Sequence, residues 1–190
     1  YNGNIQLIKH GDDFFSNMFM DQYQDKVIEM PEWLEEQIRY PQELFNWRTE
    51  MYNIYHVTDV DIFIQANEFY EIPRGLDTYY IEAKPPGFEE PEFVGLLSLE
   101  LRGSQGRNLA GYMVVQNDTP NLGHMQFYEV PIDSETVLLG PTSVREALDR
   151  DPDFAQLKTL LRNPRIGDNI LYQVGEHDTY FIPVYTAGAG

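Results

Sequence analysis

The sequence predicts an α+β fold: a helical N-terminal portion packed on an antiparallel sheet, with a late helix. Three observations carry that expectation. Over residues 12–70, apolar side chains recur at intervals of three and four behind Asp and Pro start signals, which is the helical period. From Tyr79 the text changes to short runs rich in aromatic and branched residues, YYIEA, FVGLLSLEL, LAGYMVV, HMQFYEV and TVLL, separated by Pro, Gly and Asn. After Gly140-Pro141 a helical period returns over residues 142–162. One domain is expected over 1–190, with 12–70 mainly helical, 71–187 the sheet plus helix 142–162, and 188–190 a tail.

The elements can be justified in order. The turn signal Asn2-Gly3 precedes Ile5, Leu7 and Ile8, a short strand or hairpin arm. Asp12 or Asp13 can cap a helix whose Phe14, Phe15, Met18 and Phe19 form one apolar face, expected to be core. Pro31 opens PEWLEEQIR with Trp33, Leu34 and Ile38 inward, and Glu32, Glu35 and Glu36 near the positive helix start. Pro41 opens QELFNWRTEMYNIYH, where the spacing of Leu44, Trp47, Met51 and Tyr55 makes them face one partner. Thr58-Asp59 caps a short helix, DVDIFIQAN.

In FVGLLSLELR, Leu97, Leu99 and Leu101 alternate with Ser98, Glu100 and Arg102, the pattern of a sheet with one wet face. LAGYMVV is apolar on both faces and belongs in the centre of the sheet. Ser143 to Glu146 matches a capping box for the late helix, and Asp151-Pro152 restarts it. NILYQV and TYFIPVY are final strands around the turn GEHD; Pro183 cannot donate to a ladder, so the last strand is expected at an edge or with a bulge.

Composition excludes several function classes. With 13 Lys+Arg against 31 Asp+Glu the formal charge is −18, which repels nucleic acid phosphates and anionic lipid headgroups. The absence of Cys rules out disulfides, thiol catalysis and Cys-ligated zinc in this stretch. No apolar run approaches the ~20 residues of a membrane helix, and there is no basic-then-apolar signal segment. The text begins at Tyr1 rather than Met, as expected of a piece of something longer.

Candidate chemistry is sparse. His56, Asp59 and Asp61 in HVTDVD offer an imidazole and two carboxylates to a divalent cation, the one cofactor the residues suggest; the plainer reading is a histidine closing one helix and aspartates capping the next. Arg102 and Arg107 flank Gly103-Ser104-Gln105-Gly106, whose amides could hold an anion, but the lysine and helix of a phosphate loop are missing. A hairpin loop with solvated arginines explains them as well. His124, near Asn117, Asp118 and Asn121, sits where a ligand or proton could be handled, yet HExxH and GxSxG are both absent. Asn117-Asp118-Thr119 fits the glycosylation pattern, weakened by Pro120. Tyr52, Tyr55, Tyr70, Tyr79 and Tyr80 are expected to gather where the helical part meets the sheet, the kind of amphipathic ring that docking surfaces use.

The residues also resemble a known family. YNGNI, EMPEWLEEQIRYPQELFNWRTEMYNIYHVTDVDIF, ANEFYEIP, FVGLLSLELRGSQGRNLAGYMV, PNLGHMQFYEVP, LLGPTSVREALDRDPDFAQLKTL and GDNILYQVGEHDTYFIPVYTAG look like the end of the extracytoplasmic part of uncharacterised protein family 0182. RYPQELF followed by YHVTD, and Arg107-Asn108 before LAGYM, are its most specific pieces. The resemblance implies a multi-pass bacterial or archaeal membrane protein with this portion outside the cytoplasm, and it implies no activity. Where the family has Gln after Gly140-Pro141 this chain has Thr142-Ser143, and where it favours an acidic residue this chain has Ile182.

The function expected is therefore a non-catalytic extracytoplasmic interaction, assembly or sensing domain. Its partners would be the rest of the parent membrane protein and other envelope proteins, not nucleic acid. The competing class is an envelope enzyme or ligand-binding domain, with divalent metal as its cofactor.

Overall fold

A computed structural model describes the chain except residues 1, 2, 11, 36, 67, 103–106, 119, 131–137, 163, 176 and 187–190. The fold is α+β, in two compact units, Tyr1–Arg39 and Tyr40–Gly190. The boundary falls inside the stretch of helical periodicity.

In the first unit, β1 (Leu7–Ile8) pairs in parallel with β2 (Val27–Ile28), and α1 (Phe14–Gln22) connects them. Asp13 caps α1, its carboxylate accepting from the amides of Phe15 and Ser16. A single turn, α2 (Glu32–Glu35), follows. Phe14, Phe15, Met18 and Phe19 do not form the expected core; they are exposed, as is Trp33. Two-residue strands, a nine-residue helix and a single turn offer little surface to bury, and a segment under about 40 residues rarely builds a core alone.

The second unit is built on a five-stranded antiparallel sheet. In chain order its elements are α3 (Gln42–Tyr55), α4 (Val60–Gln65), β3 (Tyr70–Glu71), β4 (Tyr79–Ala83), β5 (Glu92–Leu101), β6 (Leu109–Gln116) and β7 (Met125–Glu129), then α5 (Pro141–Arg150), α6 (Pro152–Leu160), β8 (Arg165–Ile166), β9 (Ile170–Val174), β10 (His177–Phe181) and β11 (Val184–Tyr185). β3 and β4 both lie along β5, β6 lies on its other side, and β7 follows. β6 is central and buried throughout, as its two-sided apolarity predicts.

Both faces of this sheet are covered. On one, Phe45 of α3 packs with Leu97, Met113 and Val115. On the other, Val94, Leu96, Leu109, Tyr112 and Val114 pack with Leu171 of β9 and Tyr180 of β10. The wet face expected from Ser98 and Glu100 is therefore a correction: both are buried, because the β9–β10 hairpin and the start of α5 lie over them. Alternation in β5 records a polar face without revealing that something later in the chain would cover it.

The register of β6 shifts opposite Leu99 and Glu100. Ala110 is the extra residue, lying between Leu109 opposite Glu100 and Gly111 opposite Leu99, so Leu109 and Tyr112 share a face although they are three apart; the neighbouring Gly111 takes φ +156°. A Cβ there would meet the Tyr128 carbonyl at 2.2 Å.

Two boundaries differ from expectation for local reasons. α5 starts at Pro141 rather than at a Ser143 cap; Pro fits the first helical position, and the Ser143 hydroxyl donates instead to the Arg107 carbonyl, 2.9 Å away. The last strand divides at Pro183, β10 pairing with β9 and β11 with β8, since Pro cannot continue a ladder.

Candidate functional site

Taken first, the residues of HVTDVD stay structural in their contacts. His56 ends α3, its Nδ1 lying 2.8 Å from the Tyr52 carbonyl, and its ring stacks on Tyr70 with centroids 4.1 Å apart. Asp59 caps α4 by accepting from the amides of Asp61 and Ile62 at 2.9 and 3.1 Å, while Asp61 sits exposed in the first turn. Among the described residues no three His, Cys, Asp or Glu side chains gather as metal ligands.

Arg102, Arg107 and His124 are not brought together. Arg107 precedes β6 and His124 follows it, and a strand of that length separates its ends by roughly 25 Å. Arg107 pairs with Glu146 of α5, and His124 Nδ1 lies 3.1 Å from Gln116 Oε1. Arg102 closes β5 with a backbone bond to the Phe69 carbonyl; the glycine loop after it lies outside the described residues. Asn117 is only 3% exposed, its Oδ1 accepting from the Tyr40 amide at 2.7 Å and its Nδ2 donating to the Phe93 carbonyl at 3.2 Å. Thr119 is outside the described residues.

The five tyrosines divide between surfaces. Tyr52 and Tyr70 join Phe127 on the α3 side of the sheet, with Tyr70 donating to Glu129 at 3.2 Å; burial and that carboxylate push its hydroxyl pKa up. Tyr80 donates to the Tyr40 carbonyl. Tyr79 lies on the opposite face, where its hydroxyl donates to the Leu171 carbonyl at 2.8 Å and accepts from the Leu171 amide at 2.9 Å. Tyr55 is exposed.

Three further features take their place only in the fold. The first is the outer face of α3. Phe45, Thr49 and Asn53 are the buried stripe, and at about 100° per residue Leu44, Trp47, Met51 and Tyr55 fall on the opposite side. That apolar stripe is exposed, Trp47 at 65%, Met51 at 61% and Tyr55 at 67%. It continues into α4, where Tyr55 stacks with Phe63 and Val60 and Ile64 are also bare. Periodicity located the stripe correctly and could not tell which side of the helix the sheet would take.

The second is Glu100, 1% exposed at the start of α5. Its Oε1 accepts from the Thr142 amide at 2.7 Å and its Oε2 from the Thr142 hydroxyl at 3.0 Å, so a strand residue supplies the negative group that helix starts favour. Burial pushes its carboxyl above the usual carboxylate range, the Thr142 bonds opposing. Gly140 makes the approach possible, since a Cβ there would sit 2.6 Å from the Glu100 side chain.

The third is a cleft of about 350 Å³, formed by the 73–76 turn, the first turns of α5 and the segment after β8. Arg74, Arg145 and Asp168 line it. They are distant in sequence with no spacing signature, so only the fold reveals them.

Fold and surface together define an acidic α+β module carrying an apolar helix face and a polar cleft. The chain belongs to the Uncharacterised protein family (UPF0182), whose profile matches residues 1–161. It is 31% identical over 168 residues to a UPF0182 protein of Sulfurovum sp. strain NBC37-1, covering 82% of this chain and 18% of that protein. A UPF0182 protein of Methanospirillum hungatei JF-1 is 30% identical, with 84% of this chain and 19% of the relative covered. One of Salinibacter ruber is 28% identical over 97% of this chain and 21% of the relative. The chain thus spans between 18% and 21% of the length of these relatives. No solved structure matches it significantly.

Proposed function

We propose that this chain is a non-catalytic docking and assembly domain of a multi-pass membrane protein, on the extracytoplasmic side. The observation that carries the reading is the exposed stripe of Leu44, Trp47, Met51 and Tyr55 on α3, continued by Val60 and Ile64 on α4. Contiguous apolar surface of this kind marks interaction sites, and Trp, Tyr and Met are the residue types that binding interfaces concentrate. Its occupant is the remainder of the parent polypeptide, because the relatives are several times longer than this chain. None of the described helices is long and apolar enough to cross a membrane, so spanning segments would lie elsewhere in such a parent.

A photoreactive amino acid at Trp47, in the parent protein in cells, tests the reading. A crosslink to another region of the same polypeptide is expected, identified by mass spectrometry. Loss of crosslinking to any protein, with a control position such as Glu90 behaving identically, would contradict it.

A further inference from the structure

The cleft beside α5 carries an inference beyond docking, and it is independent of that reading. Its volume, about 350 Å³, falls in the range of small-molecule sites. Two guanidinium groups, Arg74 and Arg145, and one carboxylate, Asp168, line it. Arg145 is anchored, its Nη1 donating to the Gly167 carbonyl at 2.9 Å. Neither Arg74 nor Asp168 has a hydrogen-bond or ion-pair partner among the described residues, although both line the same space. Glu146 also borders the cleft, but its charge is engaged by Arg107 and Arg150. The Thr142 amide and hydroxyl, at the start of α5, are held by Glu100.

What remains is a pair of cations and one anion, unmatched with each other, around a space of amino-acid size. Guanidinium groups suit carboxylates, since their planar N–H fork matches two oxygens, and a carboxylate is the natural acceptor for an ammonium. On a chain of formal charge −18 a plain anion meets general repulsion, which a ligand carrying its own positive group escapes in part. We propose that this cleft binds a free α-amino acid, its carboxylate held by Arg74 and Arg145 and its ammonium by Asp168.

The test is an amide-resolved NMR titration of the chain with alanine, N-acetylalanine and alaninamide, followed at Gly75, Gly167 and Asn169. Alanine is expected to give saturable shifts, while the two blocked compounds, each missing one charge, give none at equal concentration. Arg74→Gln and Asp168→Asn, both at exposed positions whose loss leaves the fold intact, are each expected to weaken alanine binding about tenfold, the scale of one charged hydrogen bond. Equal shifts from N-acetylalanine would reduce the site to a plain carboxylate site and overturn the proposal. Absence of saturable shifts with alanine, or undiminished affinity in Arg74→Gln, would overturn it as well.

Discussion

Glu100 shows most clearly how a single side chain couples strand, helix and pH. The carboxyl is buried at the end of β5 and held above its ordinary range by desolvation, with Thr142 partly offsetting. Since the folded chain holds this proton more tightly than the unfolded chain, the group favours the fold below the ordinary Glu value of about 4.3, and that contribution is lost as pH rises through the raised native value. Glu100→Gln keeps the shape and removes the titration. The stability gap between Glu100→Gln and the wild type should therefore shift in favour of the variant as pH rises from about 4, measured by urea unfolding at a series of pH values. Parallel profiles would show that the group does not titrate differently in the fold. Its role was not legible beforehand: Ser98 and Glu100 read as a solvated face, because the elements that cover them arrive some forty to eighty residues later.

Among the elements, caps and strand positions were the most legible, since they depend on neighbours in sequence. Asp13 and Asp59 cap the helices expected of them, and YYIEA forms β4 over its whole length. Tertiary choices were less so. The same α3 could have turned Leu44, Trp47 and Met51 to the sheet; it turns Phe45, Thr49 and Asn53 instead, with Phe45 packed on Leu97 of β5 and on Met113 and Val115 of β6. Likewise nothing in NILYQV says which surface it will cover. That docking is fixed in part by the Tyr79 hydroxyl, bonded to both backbone groups of Leu171. Tyr79→Phe leaves these two buried groups unpaired and should cost about 1–3 kcal/mol in chemical unfolding. A change below about 0.5 kcal/mol, the scale of an ordinary surface substitution, would mean the hairpin is held by packing alone.

For the molecule as a whole, the separation of charge and apolarity is the informative property. The chain carries a formal charge of −18, while α3 and α4 leave apolar side chains bare, and α1 does so in its own unit. The charge is read from composition alone. The bare apolar side required the fold, because an amphipathic period looks the same whether its apolar side meets a sheet of the same chain or another body.

Cysteine labelling in the parent polypeptide tests the docking account most directly, and this stretch contains no cysteine of its own. Met51→Cys and Glu90→Cys are made separately, and their reaction with a membrane-impermeant maleimide is followed on intact cells and on the isolated chain. The account predicts that Glu90→Cys reacts in both settings, while Met51→Cys reacts in the isolated chain and is protected in the parent. Equal labelling of Met51→Cys and Glu90→Cys in intact cells would contradict docking at this face, and labelling of Glu90→Cys only after the membrane is opened would contradict the extracytoplasmic location.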